Sequence, residues 1–204
     1  MRAAAVAVAI TVGLAACGEV APPIRLDEVW PTAPHGYEAV TDAWTRDAQL
    51  HGQYQETLDL RATFKSPDWR AAHAERVADQ RGLEGAAREP IIAQAKADMA
   101  GPYEFELMFT TWDRRENDLD RGANSVWRVM LVDDQGHEIA PLLIKRDRRP
   151  LYTIRAEFPA MGDFATAYIA QFPRTQPVLG PNVHTLRLRL SGERGGVELI
   201  WAVP

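Results

Sequence analysis

Apolar and polar residues alternate along much of the second half of the chain, and this pattern predicts β-strands. Every second residue is apolar in residues 103–109, 127–131 and 186–190, as expected for strands with one buried face. The turn sequence DDQG at residues 133–136 separates two of the predicted strands. The predicted strands cover residues 58–64, 103–109, 127–131, 141–145, 151–158, 165–172, 186–190 and 197–203.

Helical spacing of apolar residues interrupts this pattern in the first half of the chain. Apolar residues recur every three to four positions in residues 37–50, which predicts a first helix. A second helix is predicted to begin after Ser66, a favoured N-cap residue, and to end near Arg81. A third is predicted over residues 89–100. The second and third helices form an insertion between strands.

These elements together predict a mainly β fold. Short strands separated by turns every 8–12 residues or so are typical of an antiparallel β-sandwich. A chain of 204 residues is long enough for one domain with a sizeable core. We therefore expect residues 37–204 to form a single β-rich domain, an antiparallel β-sandwich with a helical insertion and an N-terminal helix.

The N-terminus, MRAAAVAVAITVGLAA, has the pattern of a signal peptide. Arg2 precedes an uncharged apolar run that is shorter than the roughly 20 residues of a membrane-spanning helix. The run ends in Leu14-Ala15-Ala16-Cys17, which resembles the lipobox of bacterial lipoproteins. The resemblance implies cleavage before Cys17, lipidation of its thiol and a location in the cell envelope.

The same resemblance divides the N-terminal region into a signal peptide, residues 1–16, and a lipidated tether, residues 17–36. The tether contains four prolines, which disfavour a helix and keep the chain extended. Glycine rather than aspartate follows the cysteine, and by the same resemblance this implies sorting to the outer membrane.

Composition narrows the chemistry further. Cys17 is the only cysteine, so its lipidation leaves the domain without a disulfide, a cysteine-ligated metal or a cysteine nucleophile. The formal net charge of −5 gives no reason to expect a nucleic acid partner. We expect no cofactor. The expected partners are the membrane, through the N-terminal lipid, and another envelope protein.

Hydrolase motifs are missing from the sequence. None of Ser66, Ser125 and Ser191 lies in a G-x-S-x-G or S-x-x-K motif. The five histidines show neither H-x-x-x-H nor H-E-x-x-H spacing, and we predict no metal site. Carboxylates and histidines from distant positions can still converge in a fold, which keeps an envelope hydrolase as the alternative function.

The most unusual polar segment is WDRRENDLDRGANSVW, residues 112–127, in which acids alternate with arginines between two tryptophans. It can be a structural connection whose charges pair with each other, a surface that recognises a partner or ligand, or a calcium loop. The calcium interpretation is weak because the resemblance to an EF-hand is loose and the downstream glutamate is missing. The candidate partner-binding residues are Trp112, Asp113, Arg114, Arg115, Asp118, Asp120, Arg121 and Trp127.

A second charged segment, KRDRR at residues 145–149, is typical of a solvated turn or of a surface that attracts lipid headgroups or an acidic polymer. The whole sequence favours a membrane-anchored envelope lipoprotein that acts as a non-catalytic binding or structural module. A binding module should expose an apolar or aromatic patch near residues 112–127. An enzyme should instead have a concave pocket with perturbed ionisable groups.

Overall fold

The computed structural model describes residues 23–52 and 56–203. The predicted signal peptide and Cys17 lie outside the described residues. Within them, nine strands form two antiparallel sheets. The expectation of an antiparallel, β-rich fold is therefore confirmed.

The strands are numbered in chain order and fall into a larger and a smaller sheet. The five-stranded sheet has the order β1 (Thr45–His51), β2 (Glu56–Phe64), β3 (Tyr103–Thr111), β7 (Thr166–Phe172), β6 (Leu143–Arg146). The four-stranded sheet has the order β5 (Glu138–Ile139), β4 (Trp127–Val132), β8 (Thr185–Gly192), β9 (Gly195–Ala202).

The core is filled by alternate residues of these strands. The ring of Phe64 in β2 stacks on that of Phe105 in β3, with centroids 4.7 Å apart. Phe105 also contacts Trp201 of β9, in the other sheet, at a centroid distance of 5.5 Å. Nε1 of Trp201 donates to the carbonyl of Trp44 at 2.9 Å. The buried positions agree with the alternation in the sequence.

The two sheets meet along one side and separate along the other. β1 lies beside β9, where Nε of Arg46 donates to the carbonyl of Ile200 at 2.9 Å. On the opposite side, the chain crosses from β5 to β6 through residues 140–142, and no described strand joins β4 to β6. The candidate site lies on this open side.

Four α-helices lie within the described residues: α1 (Tyr37–Trp44), α2 (Pro67–Gln80), α3 (Glu89–Met99) and α4 (Leu151–Glu157). The helices α2 and α3 lie between β2 and β3 in the chain, as the sequence predicted. Oγ of Ser66 caps α2 by accepting from the backbone N–H of Trp69 at 3.1 Å. None of the helices in this part of the chain is long and apolar enough to span a membrane.

The first helix is shorter than the prediction of residues 37–50. α1 ends at Trp44, and the chain continues as β1. Thr45 pairs with Thr63 of β2, and their hydroxyl oxygens are 2.7 Å apart. Ala48 packs against the core from β1, so the strand buries this apolar residue as a longer helix would have done. Pairing with β2 therefore outweighs the helical spacing of the apolar residues.

The predicted strand over residues 151–158 is wrong, because this segment forms the helix α4. Ile154 and Phe158 are buried, and a spacing of four places both on one helical face. The ring of Phe158 stacks on that of Trp69 in α2, at a centroid distance of 5.6 Å. A short apolar run does not by itself distinguish a helix from a strand, and the contact with α2 decides the outcome.

Residues 23–36, expected to be part of the tether, contact the domain. Ile24 and Leu26 are only 8% and 2% exposed. The carbonyl of Leu26 accepts from the N–H of Gly180 at 2.7 Å. The packed part of the chain therefore begins before Tyr37, and a tether from Cys17 would end before Ile24.

Candidate functional site

Residues 112–127 connect the five-stranded sheet to the four-stranded sheet, and we call them the crossover loop. β3 ends at Thr111, and β4 begins at Trp127. Two 3₁₀ helices, Arg114–Glu116 and Leu119–Asn124, lie between these strands. The loop is therefore ordered by local turns, and its side chains have defined positions.

Two of the predicted site residues lie inside the crossover loop rather than on its surface. Trp127 and Asp118 are 5% and 4% exposed. Nε1 of Trp127 donates to the carbonyl of Glu116 at 2.8 Å. Oδ1 of Asp118 accepts from Oγ of Ser125 at 2.8 Å and from the N–H of Val126 at 3.3 Å. Both side chains support the loop.

Asn117 is a further support that the sequence analysis missed. Its Nδ2 donates to the carbonyl of Phe109 at 2.9 Å. The hydroxyl of Tyr168 donates to Oδ1 of Asn117 at 2.7 Å. Burial raises the pKa of Tyr168 to about 12, so the hydroxyl keeps its proton at neutral pH. No local signal marks Asn117, because its partners lie on β3 and β7.

The shortest ion pairs of the crossover loop reach other elements. Oδ2 of Asp120 lies 3.2 Å from Nε of Arg146 at the end of β6. Oε1 of Glu116 lies 2.7 Å from a guanidinium nitrogen of Arg194, in the turn between β8 and β9. These ion pairs therefore connect the crossover loop to both sheets. A structural connection whose charges pair with each other, one of the interpretations of the sequence, describes them only in part.

Charged side chains also make contacts within the loop, where the ion pair is longer. Oδ1 of Asp113 accepts from the backbone N–H of Arg115 at 2.9 Å, and Arg121 lies 3.9 Å from Asp118. Among the described residues, no group of three or more histidine, cysteine or acidic side chains has an arrangement that could hold a metal. The calcium interpretation therefore has no geometric support.

Two exposed aromatic side chains form what we call the aromatic hollow. Trp112 is 68% exposed and Phe164, just before β7, is 79% exposed. They line an open hollow of about 620 Å³ together with Arg114, Asn117 and Arg146. Sequence reasoning identified Trp112 but not Phe164, because position 164 is distant in the chain.

Next to the crossover loop lies a second concave surface, which we call the apolar groove. Its volume is about 810 Å³, within the usual range of ligand pockets. Residues 126–130 line one wall and residues 140–144 line another. Leu142, Val126 and Leu143 are 62%, 52% and 44% exposed. An exposed apolar patch near residues 112–127 was the feature expected of a binding module.

Only some of the remaining predicted residues line one of these two surfaces. Trp112 and Arg114 line the aromatic hollow, and Asp120 lines the apolar groove. Arg115 and Arg121 are exposed and line neither surface.

A cluster of ionisable groups lies on the face of the five-stranded sheet that points away from the four-stranded sheet. Glu106 of β3 follows Phe105, which faces Trp201 of the other sheet, so its side chain points the opposite way. Glu106 of β3 is completely buried, and its Oε2 lies 3.2 Å from Nζ of Lys65 and 4.0 Å from the guanidinium of Arg149. Arg149 also pairs with Asp147 at 2.6 Å and with Glu157 at 2.5 Å. Burial raises the pKa of Glu106 to about 7; Lys65 opposes this rise, and Asp147 adds to it.

These perturbed groups meet only part of the requirement for a hydrolase. A hollow of about 770 Å³ beside β6 is lined by Asp147 and Arg149, with Lys145 and Arg148 at its surface, but not by Glu106. Because Glu106 is completely buried, it cannot contact a substrate in this conformation. The cluster therefore joins β3 to the segment that precedes α4 instead of forming the floor of a cleft.

Comparison of the chain with protein-family models, with curated proteins and with solved structures gives no match. Only the fold and these surfaces therefore indicate a function.

Proposed function

We propose that the protein is a lipid-anchored lipoprotein of the bacterial outer membrane whose sandwich-like domain acts as a non-catalytic binding module. The observation that carries the binding role is the apolar groove with its exposed Leu142, Leu143 and Val126. Contiguous exposed apolar surface beside polar residues is typical of interaction sites.

The aromatic hollow supports the same role. Trp112 and Phe164 present large apolar areas to solvent, and Arg114 and Arg146 lie beside them. Aromatic residues and arginine are enriched where protein interfaces gain most of their binding energy. The groove and the hollow both include residues of the crossover loop, so one partner can contact both.

The binding role is favoured over a hydrolase by where the acids lie. The carboxylates that come together in the fold surround the buried Glu106. Of the acids that line the exposed surfaces near the crossover loop, Asp163 in the aromatic hollow pairs with Arg155, and Asp120 in the apolar groove pairs with Arg146. A site for acid–base chemistry needs its ionisable groups within reach of the substrate.

A photo-reactive amino acid placed at Leu142 or Phe164 tests the binding role in cells. We expect each position to form a defined crosslinked product, because both side chains are exposed beside the proposed surface. The same amino acid at Ala87, an exposed position that does not line the groove, is the matched control. Equal products from all three positions, or none from Leu142 and Phe164, would contradict the binding role.

The anchor is supported by the resemblance of Leu14-Ala15-Ala16-Cys17 to a lipobox and is tested by Cys17→Ser. We expect the variant to keep its leader uncleaved and to lack lipid, since the thiol is the acceptor and several acyl chains are needed for firm anchoring. Mass spectrometry of the N-terminus and separation of outer and inner membranes measure the outcome. Normal cleavage, with unchanged recovery in the outer membrane, would refute the anchor.

A further inference from the structure

The charged segment KRDRR, residues 145–149, lines the hollow beside β6, which we call the basic hollow. Its volume is about 770 Å³. β6 is an edge strand of the five-stranded sheet, and the segment continues from β6 towards α4. The sequence allows two interpretations of this segment, a solvated turn and a surface that attracts anions, and the pairing of its charges favours the second.

Both acids that line the basic hollow are paired with arginines. Oδ2 of Asp147 lies 2.6 Å from a guanidinium nitrogen of Arg149, and Oδ2 of Asp120 lies 3.2 Å from Nε of Arg146. The side chain of Asp147 is only 2% exposed. These two ion pairs therefore neutralise the acids of the hollow and fix the positions of two of its arginines.

Two further acids lie behind the basic hollow and do not line it. Glu106 is completely buried. Glu157 pairs with Arg149 at 2.5 Å, and its other carboxylate oxygen lies 3.7 Å from Nε2 of His73. A ligand in the hollow would therefore meet neither carboxylate directly.

The remaining two cations of the segment are unpaired. Lys145 and Arg148 are exposed, and both line the basic hollow. Their side chains form no ion pair, hydrogen bond or ring contact with the part of the chain that the structure describes. Two positive charges at one hollow are therefore available to an anion.

Apolar side chains complete the lining of the basic hollow. Leu143 is 44% exposed, and Ile144 and Ile169 are partly buried. Lys145 pairs with Ile169 of β7 in the register of the sheet, so their side chains lie side by side on one face. A ligand in this hollow would therefore contact cations and apolar surface together.

Charge and geometry favour a phosphate monoester over other anions. A monoester carries a charge of about −1.5 to −2 at pH 7, which matches two unpaired cations, whereas a carboxylate or a phosphodiester carries a single negative charge. The guanidinium of Arg148 presents parallel N–H donors that fit two phosphate oxygens, and the ammonium of Lys145 binds phosphate as a point charge.

We propose that the basic hollow binds a phosphate monoester that carries an apolar group. Lys145 and Arg148 contact the phosphate, and Leu143 and Ile169 contact the apolar group. This site is separate from the apolar groove and the aromatic hollow, and it does not depend on the binding role proposed for them. A soluble phosphate ester and the headgroup of phosphatidic acid both offer this chemistry.

Titration calorimetry with butyl phosphate tests the site in the full-length protein, held in phosphatidylcholine nanodiscs. We expect saturable binding that weakens as sodium chloride is added, because exposed charges are screened by salt. Dibutyl phosphate has more apolar surface but only one negative charge. It should bind about tenfold more weakly, since it leaves one cation without a full partner. Nanodiscs without protein give the background.

Substitutions of the cations provide the matched control. Lys145→Gln and Arg148→Gln should each weaken the binding of butyl phosphate about tenfold, because each removes one charged donor. Arg115→Gln removes a cation that is also exposed but does not line the basic hollow, and it should leave binding unchanged. All three variants should keep the thermal midpoint of the unmodified protein, because substitutions at exposed positions rarely change stability.

Vesicles distinguish the two sources of the phosphate. Phosphatidylcholine vesicles that contain phosphatidic acid should co-sediment with more protein than pure phosphatidylcholine vesicles if the ligand is a lipid, and Arg148→Gln should remove the difference. Binding of butyl phosphate without this difference assigns a soluble ester. Three results would overturn the proposal: no binding of butyl phosphate, binding of dibutyl phosphate that is equally tight, or equal losses in Arg115→Gln and Arg148→Gln.

Discussion

Glu106 carries a carboxyl group that the fold removes completely from water. Nζ of Lys65 lies 2.7 Å from Oε1 of Glu104 and 3.2 Å from Oε2 of Glu106, so one ammonium group forms ion pairs with two carboxylates. Burial raises the pKa of Glu106 to about 7. For Glu104, Lys65 and Gln171 outweigh the opposing effect of burial and lower the pKa. Neighbouring acids on one strand therefore differ in protonation at acidic pH.

Stability will depend on pH through Glu106. Its pKa is raised from 4.5 to about 7 on folding, so the folded state holds the proton more tightly and the free energy of unfolding falls as pH rises through this range. The loss from this group is about 3 kcal/mol between pH 4.5 and 8 or so. Glu106→Gln should remove that part of the decline, as measured by urea unfolding at a series of pH values.

The control is Glu104→Gln, on the same strand and beside the same lysine. Because the pKa of Glu104 is lowered in the fold, its ionised form contributes stability that is present at neutral pH and lost as pH falls. Glu104→Gln should therefore be less stable than the unmodified protein at neutral pH, with a difference that shrinks in acid. Parallel pH profiles for the Glu106→Gln variant and the unmodified protein would contradict the assignment.

At the scale of elements, the pairing of β4 with β8 requires a residue without a side chain at one position. Trp127 pairs with Gly192, and a Cβ at position 192 would lie 2.8 Å from Cε3 of Trp127 and 2.8 Å from the carbonyl of Val126. Trp127 is buried and bonded to the carbonyl of Glu116, so its ring has little freedom to move. Glycine therefore allows the tryptophan to support the crossover loop.

Gly192→Ala should destabilise the domain by about 1–3 kcal/mol, because the added methyl group overpacks a filled region. Gly180→Ala is the control, since a Cβ there would meet only Cγ2 of Val183, at an ordinary 3.7 Å. Urea unfolding measures both. Similar midpoints for the two variants would show that the strands separate more easily than this packing implies.

At the scale of the whole molecule, the N-terminal segment and the open side of the sheets define the extent of the domain. Leu26 is 2% exposed and bonded to Gly180, whereas Val29 in the same segment is 59% exposed. Residues 23–36 therefore contribute to the packed structure. One side is closed by β1 and β9, which leaves the side of the apolar groove available to a partner.

Leu26→Ala should destabilise the domain by about 2–5 kcal/mol, because it leaves a cavity in the core. Val29→Ala, in the same segment but exposed, should change the free energy of unfolding by less than about 0.5 kcal/mol. Thermal unfolding of both variants measures the difference. If the segment were a free tether, the two substitutions would have equally small effects.

Local pattern was sufficient for much of the fold. Alternation predicted β3, β4, β8 and β9, and the Ser66 cap followed by proline predicted where α2 begins. These elements are predictable because their periodicity or capping chemistry is contained within a few neighbouring residues. The crossover loop was also recognised, and its exposed Trp112 lies on the proposed binding surface.

Other features depend on contacts between distant residues. Strand pairing with β2 ends α1 at Trp44, and stacking on α2 makes residues 151–157 helical. The cluster at Glu106 joins groups that are far apart in the chain. Phe164 and Trp112 line the same hollow only because the fold brings their segments together.

The lipobox-like motif, the alternation of the main strands and the unusual composition of the crossover loop are all visible in the amino-acid sequence. The burial of Asp118 and Trp127, and the pairing of β5 with only two residues of β4, become visible only in the folded chain. Periodicity acts over neighbouring residues, whereas burial and strand pairing depend on which distant segments meet in the fold.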